Sequence, residues 1–443
     1  MAPGRLPLLG HLPALVRNPI GFLHSLTSGP EVTTIYIGTR PMYVANTLDL
    51  VYEMLVTRVE DYRRGIIFEK AEKVLGKGLT VLEGDVHKKQ RKMIQPALTQ
   101  RQIAGYTQAM VEVAEARASA WQPGVPLDAN EELHDLGMEL FSRALFRAEF
   151  AVAATERVKK ATPAFMAGII AHSLYPAQWM EKLPIGINRR FNVARPQMES
   201  AVNDVIARYR GADVTGAEDK SILAMLMAAV ESDTGQRMDD GQLRDEVVNL
   251  VVAGAEAPGT TLAWFFHEVA QHPEIEKRMV AEIDEVLGTD SLTVENLMRL
   301  EYTTMMVKET LRLHTPTWLL TRRAGRDLEL GGYRIPRDGE IAFSLTTLHR
   351  HCEHYDDPTA FDPDRWRDTS TVLPKSAYMP FGVGKHRCLG EHFAVLTMLV
   401  AIAAIARRWR LVPKPGSRVK EVPVALMQAQ GLAMIPIPRP AST

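Results

Sequence analysis

The segment Phe381-Gly382-Val383-Gly384-Lys385-His386-Arg387-Cys388-Leu389-Gly390 constrains this chain more than any other. A lone cysteine follows a Phe-Gly-x-Gly loop and opens a long apolar helix running through Val395–Ala406. That setting suits a thiolate, because a helix N-terminus carries partial positive charge and unpaired backbone N–H groups. Gly382 and Gly384 let the backbone fold tightly under the sulfur, and Phe381 can shield it from water. A buried, hydrogen-bonded thiolate makes a good axial ligand for haem iron. The bland alternative is an inert cysteine that merely packs.

Composition sets wide bounds. The 443 residues are 46% hydrophobic and 24% charged, as in ordinary globular proteins, and length alone suggests two or three domains. A net charge of -1 gives no case for a nucleic acid or a membrane surface as partner. The two cysteines, Cys352 and Cys388, exclude a disulfide framework and fit a reducing, cytoplasmic compartment. Pro3, Pro7, Gly10 and Pro13 interrupt the first residues, so neither a signal peptide nor an anchor helix is expected. Val395–Ala406, the longest apolar stretch, falls short of the roughly 20 residues a membrane span needs.

Strand-like alternation marks Val32–Ile37 and Pro41–Ala45, and the pattern turns helical from Leu48. Helices are expected at Gln102–Trp121, Asn130–Leu145, Arg195–Tyr209 and Ser221–Glu231, with Asn130 as a cap and Pro196 as an early helical proline. Longer ones follow at about Asp239–Gln271 and Val294–Leu313. Short β-like pieces and turns occupy Leu328 to Ile341. The chain reads as mainly α with a small β-rich region. Residues 1–443 are expected to form one domain wrapped around a cofactor.

Glu309 and Arg312 share one face of a helix at i and i+3, and Phe361-Asp362-Pro363-Asp364-Arg365-Trp366 places an arginine in a Pro-bounded turn. With the cysteine loop, which has every fixed position of Phe-x-x-Gly-x-(Arg/His)-x-Cys-x-Gly, these motifs resemble the cytochrome P-450 (haem-thiolate monooxygenase) family. The resemblance runs from about Leu6 to Pro438. It implies a single triangular domain enclosing haem b, with Cys388 on the iron and Phe381 and Gly382 shaping its loop. Glu309, Arg312 and Arg365 would form a buried architectural triad, linked by bidentate guanidinium–carboxylate bonds. His87 and Arg91 fall on the family's propionate-binding pair, and Arg322 and His386 on its other propionate positions.

Val251-Val252-Ala253-Gly254-Ala255-Glu256-Ala257-Pro258-Gly259-Thr260-Thr261 looks like the family's oxygen-activation stretch, usually Ala-Gly-x-(Asp/Glu)-Thr. Trp264 fits the pattern without a gap. Here Ala257 stands where threonine normally does. Pro258 has no N–H and presses on the Gly254 carbonyl, so a kink is expected there. The missing hydroxyl normally helps deliver protons. Its replacements would be ordered water, Glu256, Thr260 or Thr261, or a hydroxyl on the substrate, as in some macrolide hydroxylases of the family. Peroxygenases of the family carry an Arg-Pro dipeptide, and this chain has no arginine there.

The family's substrate-contacting stretches fall on Ile66, Ile67, Phe68, Phe165, Ile169, Ile170, Leu250, Ala253, Trp318, Leu319, Leu320 and Met427, an apolar set suited to a neutral hydrocarbon-like ligand. The segments Trp318–Ala324 and Gly331–Pro336 are similar to bacterial terpenoid hydroxylases. The implied reaction uses O2 and two electrons from a ferredoxin and its reductase, because no flavin or nicotinamide fingerprint is present. Lys88, Lys89, Lys92, Lys385 and Arg387 would gather as a docking face for an acidic ferredoxin. A monomer without membrane attachment is expected. Rival readings are a polyketide or macrolide hydroxylase, a peroxide-driven oxidase, and a haem-binding sensor. His349-Arg350-His351-Cys352-Glu353-His354 has metal-ligand residue types but lacks the paired knuckles of a structural zinc site, and it matches a polar loop of the family.

Overall fold

The computed structural model describes residues 1–146, 148–175, 178–211, 221–231, 235–288, 290–367 and 373–440. Helices dominate, and they pack around one main hydrophobic core that draws residues from Leu23 to Met434. Its centre is the helix Glu391–Ala406, which is buried almost without interruption from Phe393 onward. Such an all-round apolar helix can exist only inside a protein. Among the described residues, no helix is long and apolar enough to cross a membrane.

The longest helix near it, Asp240–Gln271, is started by Asp239, whose side chain accepts from the Gln242 N–H at 2.8 Å. It lies unusually close to the helix Ala129–Leu145 because two glycines permit the approach. A Cβ on Gly259 would sit 2.6 Å from the His134 backbone, and one on Gly254 would enter the Phe141 ring. The helix runs unbroken through Pro258. Since proline has no N–H, the Gly254 carbonyl still loses its partner one turn on.

The small sheet beside this core is five-stranded, in the order Val32–Ile37, Arg40–Ala45, Glu340–Phe343, Leu320–Ala324, Tyr62–Arg64. Its last, antiparallel pair sets Arg64 opposite Arg322. A second core lies under this sheet, around Leu48, Met54, Ile335 and Phe343.

Several local expectations shift. Asp128, not Asn130, caps the Ala129–Leu145 helix, through bonds of 3.0 and 3.1 Å to the Asn130 and Glu131 N–H groups. Pro196 is interior to a longer helix, Gly186–Gly211, because apolar spacing alone does not mark where that helix begins. The Val294–Leu313 pattern divides into Val294–Leu297 and Glu301–Leu313, separated by the Met298-Arg299-Leu300 turn. Ser221 is an N-cap, not a first helical residue.

What ties the Glu301–Leu313 helix to the rest is Glu309, fully buried. Its carboxylate accepts from Arg312 Nε and Nη2 (2.9 and 2.7 Å), Arg365 Nε (3.0 Å), Trp366 Nε1 (2.9 Å) and the Asp362 N–H (3.1 Å). Arg312 spends its other donors on the carbonyls of His349, Pro358 and Ala360. Removing one member of a buried charge network strands the others. Glu309→Ala is therefore expected to lower unfolding free energy by about 3–5 kcal/mol, read from chemical denaturation. Glu309→Gln should recover only part of that loss.

Candidate cofactor and active site

Two residues before the Gly390 cap of the apolar helix, the Cys388 N–H donates to the Phe381 carbonyl at 2.8 Å. The turn needs left-handed glycines, Gly382 at φ +68° and Gly384 at φ +70°, and a Cβ on Gly384 would strike the Leu55 carbonyl. Cys388 is open to a probe, yet desolvation raises its thiol above the ordinary range. The Gly390 N–H and the cations Arg91 and Arg387 act the other way. A sulfur both accessible and desolvated faces an internal space rather than bulk water.

The Asp240–Gln271 helix presents a matching face. Ala253 is exposed in mid-helix although Val251, Glu256 and Thr260 around it are buried, and Leu250, Gly254 and Ala257 are partly open. These four positions recur at helical spacing, so one stripe of small and apolar residues keeps open surface.

At a third edge, cations outnumber the acids around them. Arg64 Nη2 donates to His386 Nδ1 at 3.1 Å, and the His386 and His87 rings lie 4.5 Å apart. Arg64 and Arg322 both flank the Phe68 ring, at 4.5 and 5.5 Å. Among the described residues, Glu83 is the one acid that acts on the arginine pair, and it is itself exposed. Desolvation, then neighbouring positive charge, pushes His386 down to about 2 and His87 to about 4. Desolvation also lowers Arg322 to about 10 and Arg64 to about 9, the latter with help from Arg322. Such crowding of like charge is costly unless an anion completes it.

A flat apolar dianion with a metal at its centre would suit the chemistry of all three: its carboxylates the arginines and histidines, its apolar faces the stripe, and its metal Cys388. Haem has that chemistry. Arg91 Nη1 donates to the Arg387 carbonyl at 2.8 Å and braces the cysteine loop. Arg64 was not among the sequence candidates. Its signal was the register of Tyr62–Arg64 against Leu320–Ala324, which pairing alone reveals.

Of the expected substrate-lining residues, Ile67, Phe68, Leu250, Ala253 and Leu319 keep open surface. Ile169, Trp318 and Met427 do not, at 3%, 6% and 0% exposure. Met427 is held by its backbone instead, its carbonyl accepting from Trp264 Nε1 at 2.6 Å, and Trp318 Nε1 donates to the Val424 carbonyl at 3.0 Å. These side chains are part of the wall's support.

Thr260 is likewise turned away. His134 Nδ1 can only donate to the Asn130 carbonyl (2.9 Å), which leaves Nε2 to accept the Thr260 hydroxyl proton at 2.9 Å. Thr261 donates to the Ala257 carbonyl at 2.9 Å. Glu256 is 8% exposed, and among the described residues no donor reaches its carboxylate. Desolvation raises it to about 7.

Comparison with known proteins agrees with this geometry. The family model for Cytochrome P450 matches residues 1–438. Cyclooctat-9-en-7-ol 5-monooxygenase of Streptomyces melanosporofaciens is 38% identical over 94% of this chain and 90% of its own. Pentalenene oxygenase of Streptomyces avermitilis is 32% identical over 96% and 94%. The crystal structure of the cytochrome P450DA heme domain superposes with a TM-score of 0.88 at 24% identity, covering 99% of this chain and 97% of that one.

The cationic edge sets the expected behaviour. Removing the Arg64 contact should cost about 1.5–3 kcal/mol of anion binding. For Arg64→Leu that means haem transfer to an acceptor protein roughly 10- to 100-fold faster. Because His87 and His386 are neutral in the fold but take protons when unfolded, stability should fall as pH drops below 6.5, their ordinary value, toward about 4. Thermal melts of cofactor-free protein should show this slope, and haem carboxylates should flatten it.

Proposed function

The chain belongs to the cytochrome P450 family, and we propose that it is a monooxygenase that hydroxylates an apolar terpenoid, fed with electrons by a ferredoxin and its reductase. The observation that carries this reading is the accessible yet desolvated Cys388 at the head of the buried apolar helix. The named activities of the relatives narrow the substrate class. One acts on cyclooctat-9-en-7-ol and another on pentalenene.

In this proposal Cys388 ligates the iron, and His87, Arg64, Arg322 and His386 receive the carboxylates of haem b. When bound, haem supplies the oxygen activation and insertion chemistry. The chain's own work is to bind, orient and protonate. Ile67, Phe68, Leu250, Ala253 and Leu319 offer an uncharged surface, so orientation comes from shape and the driving force from burial. Ala257 leaves room where a hydroxyl would stand. Gly254, released from its helix bond by Pro258, presents a carbonyl able to hold a water.

The proton source we favour is Glu256. Its carboxyl titrates near neutrality, so it can hold a proton at working pH and release it. Thr260 is committed to His134 and does not compete. A hydroxyl on the substrate is the second source, favoured by the relative whose named substrate is already an alcohol.

Docking of an acidic ferredoxin would use the exposed side of the cysteine loop. Three of the five cations there already have partners, in Lys89–Glu231, Lys385–Glu60 and Arg387–Glu391 at 2.9, 2.9 and 2.7 Å. Lys88 and Lys92 are the stronger candidates for steering, being exposed and outside those pairs.

Glu256→Gln is expected to cut product formation by roughly 100-fold, with electrons diverted to hydrogen peroxide. In the native enzyme coupling should decline as pH rises through about 7, where Glu256 loses its proton. The variant should lose that dependence. Substrate class is tested by the haem spin-state shift on titration with paired terpenoids. If parent hydrocarbons bind, protons come through the protein or ordered water, and Glu256→Gln decides between them. If only hydroxylated forms bind, the substrate supplies them, and a silent panel rejects the terpenoid reading.

A further inference from the structure

The residues His349 to His354, adjacent in sequence, separate in space. His349 belongs to the core. It is fully buried, its Nε2 accepts from the Met379 N–H at 3.1 Å, and its Nδ1 meets the Thr315 hydroxyl at 3.1 Å. His354 has no such partners. Its side chain is nine-tenths buried, and its Nε2 is shut off from solvent without a hydrogen bond. Buried imidazole nitrogens normally have a partner, and an unsatisfied one calls for an unseen water or ion.

What faces that nitrogen selects the ion. Glu353 Oε2 stands 4.0 Å away, beyond hydrogen-bond distance. A second carboxylate comes from Asp49, on the helix Leu48–Tyr52, far upstream in the chain. The ligand atoms of Asp49, Glu353 and His354 all lie within 4.8 Å of one another. Among the described residues neither carboxylate is paired with a lysine or arginine, so two carboxylates converge on an imidazole that has no hydrogen-bond partner. Ligands about 2.1 Å from a shared tetrahedral ion sit roughly 3.4 Å apart. The exposed ends of Asp49 and Glu353 can close the remaining gap by rotamer changes.

We infer that Asp49, Glu353 and His354 form a binding site for a first-row divalent cation, Zn²⁺ above all. The imidazole favours transition ions over Mg²⁺ and Ca²⁺, and the two carboxylates neutralise the charge. A bound ion would join the Leu48–Tyr52 helix to the segment between His349 and Asp357. Carbonyls of that segment receive Arg312 and Arg365. The ion would thus cross-link the support of the cysteine loop, independently of which substrate the enzyme takes.

The test uses the haem-loaded enzyme, stripped with a chelator and titrated with ZnCl2 by calorimetry while its melting temperature is followed. One saturable equivalent is expected, raising the melting temperature by a few degrees, as for any ligand bound only by the native state. Asp49→Asn, at an exposed position, should weaken binding at least about tenfold and abolish the thermal shift. Its carbon monoxide difference spectrum should be unchanged. His354→Gln should do the same, and Cys352→Ser should leave binding intact. Absence of saturable binding would overturn the inference. So would zinc binding that survives both Asp49→Asn and His354→Gln, or that disappears with Cys352→Ser, which would mark a thiol site.

Discussion

One buried carboxylate holds the cysteine loop where it is. Glu309 fixes Arg312, whose Nη1 donates to the His349 carbonyl at 2.8 Å. His349 is kept neutral because burial, then Arg312, lowers it to about 3. Its Nε2 is therefore an acceptor, and it takes the Met379 N–H. From Met379 the Gly382 N–H bond (2.9 Å) and the Cys388 bond to Phe381 complete the path to the sulfur. The one protonation state on this path, that of His349, is set by burial and Arg312. A lysine at 312 could not serve, since the position uses the planar fork against Glu309 and three carbonyls at once.

The cationic edge is built on repulsion. Antiparallel register brings Arg64 and Arg322 together, and the cysteine loop adds His386 beside His87. The fold accepts this because both arginines keep partial satisfaction, Arg322 at the Thr321 carbonyl and Arg64 at the Leu82 carbonyl. Hydrogen bonds satisfy donors but leave the charge. The chain is thus less stable than its packing would allow until a dianion is bound, and binding energy and folding energy become linked.

Much of this was legible in the sequence, for a physical reason. Cys388, Glu309, Arg312 and Arg365 sit in motifs whose spacing is fixed by short-range geometry, a tight turn or one helical turn. Arg64 was invisible because its role arises from strand register across about 260 positions, using pairing that no local pattern encodes. Asp49 was missed for the same reason, as its partners lie in another segment. Met427, Ile169 and Trp318 illustrate the converse. Apolar identity marks a residue as inside, but not whether it faces a cavity or the core behind it. Thr260 shows that a correct residue type can be spent elsewhere, here on His134.

The loss of threonine at position 257 has a structural counterpart in the acid beside it. A threonine hydroxyl would offer a donor near Glu256 and the cavity, and ionised carboxylates prefer such company. With alanine there, and Thr260 and Thr261 bonded to His134 and the Ala257 carbonyl, Glu256 is left with desolvation alone. Its rise to about 7 follows directly from that isolation.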